Sequence, residues 1–240
     1  MLETLSAREF RQFVDFVHSP YFNKHERLMA FADYLFVHIA EGNEAELDRQ
    51  VIFEHLFPGE EYHEQRLADL MSYLVKLLEQ FFAQQHFELR GFNQDYHLMA
   101  DLAHRDLEKS YSKAFRTLKK RQQKKKIKNE NYYMQEYLFW DESDHYYMRQ
   151  QQRTTDESLQ HKVDALDHFY LAAKLKNACE MANRQNVIEV NYNYWLTEEL
   201  LRALKDNIGD YEAHPAIVVY YHILQCLTEP DNHAHFDRLK

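Results

Sequence analysis

Apolar side chains recur every three or four positions along most of this chain, with polar residues filling the intervals. That period marks amphipathic helices. Phe10, Phe13, Val14 and Val17 fall on one helical face, and Ser6 with Glu9 forms a capping box ahead of them. In such a box a hydroxyl serves the first-turn N–H groups and a carboxylate reaches back from three residues on. Ser19-Pro20-Tyr21-Phe22-Asn23 ends this helix. Asn23, followed by Glu26, is predicted to cap a second helix to about Ala40, with Leu28, Phe31, Ala32, Leu35 and Ile39 inward. Gly42 suits the residue just past its end. A third helix is expected over roughly 46–56, stopped by Phe57-Pro58-Gly59. The strongest pattern is a fourth, from about Glu64 to Gln85. Its Leu67, Met71, Leu74, Leu78 and Phe81 form one stripe, which Leu70 and Leu77 widen.

Gly91 is the best internal boundary. Beyond it, helices are predicted over roughly 93–104, 106–128, 130–152, 156–184, 191–207, 215–228 and from 231. Val163, Leu166, Phe169, Tyr170, Ala173 and Asn177 share a face of the 156–184 helix. Adjacent helices on short connections pack as antiparallel hairpins, and several in series suggest an α-solenoid. The helix starts are unevenly spaced and show no fixed tetratricopeptide period. The expected fold is therefore all-α. Residues 1–90 form a four-helix N-terminal bundle, and 92–240 form a right-handed run of irregular helical hairpins, truncated at its C-terminal edge. His233 to Lys240 reads as an amphipathic helix cut off in its second turn, so the chain is expected to be a fragment of a longer protein that exposes Phe236 and Leu239 or buries them in a neighbouring copy.

Composition sharpens this picture. Four glycines and four prolines in 240 residues leave little for tight turns or phosphate-cradling glycine loops. Helix content above roughly 65% and no sheet are expected, against a usual share of about a third. Cys179 and Cys226 are the only cysteines and lack CxxC spacing, which fits a reducing compartment. With no signal pattern at Met1 and no membrane-length apolar run, a cytoplasmic protein without a membrane partner is expected. The net charge is −10, yet seven of the 29 basic residues crowd into 119–128. An acidic body disfavours broad nucleic-acid binding, and this segment is the single local exception.

Several segments carry a resemblance. Ser19-Pro-Tyr-Phe-Asn-Lys24, Leu56-Phe-Pro-Gly59 with Leu70-Met-Ser72, Lys174-Leu-Lys176 with Cys179, and Ala213-His-Pro-Ala216 with Tyr220-Tyr221 are similar to stretches of a family of longer all-helical proteins from anaerobic, gut-type bacteria, functionally uncharacterised and tetratricopeptide-like in architecture. The resemblance spans nearly the whole chain. It implies a helical fold and a longer parent, and carries no catalytic residue across.

Candidate chemistry is sparse. Lys119, Lys120, Arg121, Lys124, Lys125, Lys126 and Lys128 could bind phosphate or an acidic surface. A solvated helix end is the plainer reading. Tyr133, Tyr137, Trp140 and Tyr147 lie on one face, where core packing is favoured over a ligand groove. Asp141 with His145, and His222 with Cys226, have i, i+4 spacing, but two ligands make no metal site. No GxSxG elbow or HExxH motif is present. The expected function is therefore non-enzymatic and without cofactor or metal: a helical-repeat scaffold that holds a protein partner. The alternative is a nucleic-acid-associated protein using 119–128, and an enzyme with a scattered site comes third.

Overall fold

The computed structural model describes residues 1–89, 91–150, 157–229 and 232–240. Among these, 77% are helical and no strand forms, as the scarcity of turn residues requires. The chain divides into two compact units, Met1–Asn93 and Gln94–Lys240.

The first unit holds α1 (Ala7–His18), α2 (Glu26–Glu41), α3 (Arg49–Leu56) and α4 (Glu64–Leu89). The capping box is formed: the Glu9 N–H donates to the Ser6 hydroxyl at 3.3 Å, and the Ser6 N–H donates to Glu9 Oε2 at 2.8 Å. Asn23 does not cap α2, which begins at Glu26. It is buried in the turn, donating to the Val17 carbonyl at 2.9 Å and accepting from the His25 N–H at 2.9 Å. Its amide thus ties the end of α1 to the start of α2. Gly42 takes φ +66 and closes α2, a left-handed position that costs glycine nothing. α3 starts later than expected, because Glu44–Leu47 form a 3-10 turn and Asp48 caps the Gln50 N–H at 2.8 Å. After α3, Phe57 is buried between two guanidiniums, Arg27 at 4.3 Å and Arg66 at 4.1 Å from its ring centroid. Glu60 pairs with both arginines. Leu70, Leu74, Leu77 and Phe81 of α4 are buried in one core with α1 and α2, as their spacing predicts.

The second unit contains most of α5 (Gly91–His104), then α6 (Glu108–Gln123), α7 (Glu130–Arg149), α8 (Ser158–Gln185), α9 (Thr197–Lys205), α10 (Pro215–Thr228) and a single turn, α11 (Ala234–Asp237). α7 and α8 run antiparallel. Lys162 meets Asp141 at 2.7 Å near one end of the pair, and Lys176 meets Glu130 at 2.6 Å near the other. α10 packs on α8 in the same direction as α8: His168 stacks on His214, and further along the Cys179 thiol donates to the Tyr220 carbonyl at 3.3 Å. The side of α8 in this core is lined by Ala172, Ala178 and Ala182 around Leu175. Small residues let two neighbouring helices approach closely.

Three predicted boundaries are corrected. α6 stops at Gln123, well short of 128. Its last residues bring cations together, and Asn129 then caps the next helix by accepting the Tyr132 N–H at 3.1 Å. The 191–207 helix is only Thr197–Lys205, since Leu196 takes a left-handed φ of +61. The last helix is one turn, with Phe236 exposed and Leu239 half-buried. The predicted end at 152 and the predicted starts at 156 and 231 lie outside the described residues.

Candidate functional site

The structure disperses the basic segment. Lys119, Lys120 and Arg121 end α6, Lys124 caps it, and Lys125, Lys126 and Lys128 lie in the connection to α7. Lys119 is half-buried, its ammonium 5.0 Å from the Trp140 ring and 5.7 Å from Phe115. Arg121 pairs with the largely buried Asp95. Lys125 donates to Gln135 Oε1, and burial lowers its ammonium pKa against the opposing pull of Glu136. Lys128 sits 5.9 Å from the Tyr132 ring. Lys120, Lys124 and Lys126 are exposed and make no ion pair among the described residues. The seven cations therefore do not share one open face. Replacing Lys120, Lys124 and Lys126 together by Gln is expected to change unfolding free energy by under ~0.5 kcal/mol in chemical denaturation. Arg121→Gln, which strands a partly buried carboxylate, should cost on the order of 1–2 kcal/mol in the same assay.

The aromatic face of α7 divides its tasks. Tyr133 is buried in the core, Trp140 stacks on His161 at 4.4 Å, and Tyr147 lines a groove of about 350 Å³ together with Tyr111 and Tyr146. The two i, i+4 pairs, read from the sequence as too few ligands for a metal, are engaged elsewhere, although His145 Nδ1 does lie 3.7 Å from Asp141 Oδ2. Asp141 serves Lys162, and His222 faces His235, Nδ1 to Nδ1, at 2.9 Å. No group of three or more metal-ligating side chains forms among the described residues.

A histidine stack, not legible in the sequence, joins three helices. His168 of α8 and His214 before α10 stack at 3.7 Å, and the Tyr133 hydroxyl lies 3.2 Å from His214 Nδ1. Burial lowers the His168 pKa, with Asp164 and Asp167 opposing. Burial, then His168 and Lys128, push His214 down to about 4. Both folded values lie below the free-histidine value, so folding favours the neutral rings. Their contribution is complete above about pH 6.5 and is lost as pH falls towards 4. Since His214 is only half-buried, the expected loss is on the order of 1–2 kcal/mol. A pH series of thermal melts should show a shallower acid decline for His214→Phe than for wild type. Parallel declines would remove this stack from the acid response.

The most distinctive surface is on α8. Of the face read from the sequence, Phe169 packs against the core of this unit, whereas Val163, Leu166 and Tyr170 turn outward. They are 44%, 43% and 43% exposed, and Leu159, one turn earlier, is 56% exposed. The four fall at the 4-3-4 spacing of a helix-pairing seam and extend about 16 Å along the helix. Asp167 flanks them, and neither it nor Asp164, whose Oδ1 accepts from the Gln160 amide at 2.7 Å, makes an ion pair among the described residues. The opposite face, Ala165, Ala172, Leu175, Cys179 and Ala182, is the buried one. A second exposed apolar group sits between α8 and α9, where Val187, Ile188 and Trp195 face solvent, Trp195 at 72%.

Among the described residues no helix is long and apolar enough to cross a membrane. Family models, curated proteins and solved structures each give no match to this chain.

Proposed function

We propose that this protein is a non-enzymatic helical scaffold, built of hairpins in the manner of repeat proteins, that holds a partner protein on α8. The observation that carries the reading is the exposed stripe Leu159, Val163, Leu166 and Tyr170. Large apolar residues in a continuous row are unusual on a surface with nothing to cover. Their seam spacing suits the apolar face of one partner helix, and Asp167, with no ion pair among the described residues, favours a basic residue on that helix's flank. Trp195, of the residue type enriched at binding hot spots, offers a second anchor. Nucleic-acid binding through 119–128 has less support, because four of those seven cations already contact protein groups.

The test pairs stability with capture. Val163→Glu/Leu166→Glu should melt within a few degrees of wild type, since both side chains face solvent. It should lose a helical, basic-flanked protein that wild type recovers from its native cell. The same recovery by both forms would sink the proposal, as would salt-sensitive RNA capture with no protein partner.

A further inference from the structure

A cavity of about 580 Å³ opens beside α10, between the end of α9, the 3-10 turn Ile208–Tyr211 and α11. Its wall carries both signs of charge. Lys205 and Arg238 supply two cations, and Glu212 and Glu229 two carboxylates. None of the four forms an ion pair among the described residues. Among the described residues the Glu229 carboxylate accepts only the Asn232 side-chain amide, at 3.2 Å.

Two buried polar groups sit behind these charges. Tyr221 is 3% exposed and lines the cavity, and its hydroxyl has no hydrogen-bond partner among the described residues. Burial, and next the charge of Glu229, keep that phenol protonated and so a donor. His222 is 8% exposed and also lines the cavity. Its Nδ1 is taken by His235, and its Nε2 has no partner among the described residues. Neither the Tyr221 hydroxyl nor this nitrogen is shut off from solvent, so each opens to the cavity, where a ligand atom would take the place of water.

We propose that this cavity binds a small zwitterion, a molecule of amino-acid or dipeptide size carrying one carboxylate and one ammonium group. The carboxylate takes Arg238 and Lys205, with the Tyr221 hydroxyl as a neutral donor. The ammonium takes Glu212 and Glu229. A ligand with only one charge meets repulsion from the opposite pair of wall groups, so the balanced wall selects for both charges together. The volume lies within the usual range for small-molecule sites. Because α11 and the residue that follows it supply His235 and Arg238, an occupied cavity also fastens this terminal turn to α10.

The test is calorimetric titration with glycylglycine and L-glutamine, with acetate and ethylammonium as single-charge controls. At least one zwitterion should bind saturably, about tenfold or more tighter than either control. Arg238→Gln and Glu212→Gln, both at exposed positions, should each weaken that binding about tenfold without moving the melting temperature. Tyr221→Phe should weaken it roughly threefold to tenfold, as loss of one donor to a charged group does. Absence of saturable binding by both zwitterions at roughly 10 mM, equal binding of acetate, or unchanged affinity in the charge variants would overturn the proposal.

Discussion

Phe13→Ala is expected to destabilise the N-terminal unit by about 3–5 kcal/mol, the range for removing a fully buried aromatic ring. Phe13 is 0% exposed and packs on Phe81 at 5.6 Å between ring centroids. Phe81 in turn meets Phe16 at 5.7 Å. The ring therefore links α1 to the long stripe of α4, and truncation leaves a void walled by residues whose positions several other contacts fix. Phe13→Leu keeps most of the volume and should cost less than half as much. Chemical denaturation followed by circular dichroism provides the comparison. An alanine variant within 1 kcal/mol of wild type, on the order of an ordinary surface change, would mean that α1 is not part of this core.

Leu175→Ala and Leu166→Ala should separate the two apolar faces of α8. Leu175 is 0% exposed, within the core that α8 forms with Tyr133 of α7 and with Ile217, Tyr221 and Leu224 of α10. Its truncation should cost about 2–5 kcal/mol. Leu166 is the same residue type on the same helix, yet its truncation should change stability by under ~0.5 kcal/mol. Sequence chemistry is identical at the two sites, so the difference isolates burial. Equal losses would show that the outward stripe is packed against something in the isolated chain.

Features fixed by near neighbours in the chain were legible before the structure was known. The Ser6–Glu9 box needs only four residues, and Gly42 and Gly59 stand where φ is positive. The burial of Leu70, Leu74, Leu77 and Phe81 follows from a stripe with only one apolar side. α8 has two such sides, and periodicity alone does not say which one packs. Leu159, Val163, Leu166 and Tyr170 point outward, whereas alanines surround Leu175 on the inward side, where close approach of two helices favours small side chains. Asn23 reads as a cap from local spacing, but its amide finds the Val17 carbonyl across a turn. The end of α6 at Gln123 was hidden because lysine and glutamine are good helix formers, and their crowded charge and the Asn129 cap act against continuation. The histidine stack and the α10–α11 cavity join positions far apart in the chain, between which a single sequence gives no link.

The central claim, that the outward face of α8 holds a partner protein, is tested most directly by a photo-crosslinking residue placed at Leu166 in the native cell. Lys120, exposed on α6, serves as the control position. The account predicts one dominant adduct from position 166, none from position 120, and a crosslinked peptide that is an amphipathic helix with basic residues beside its apolar face. Adducts to nucleic acid, to residues 1–93 of the same chain, or equally from both positions would contradict it.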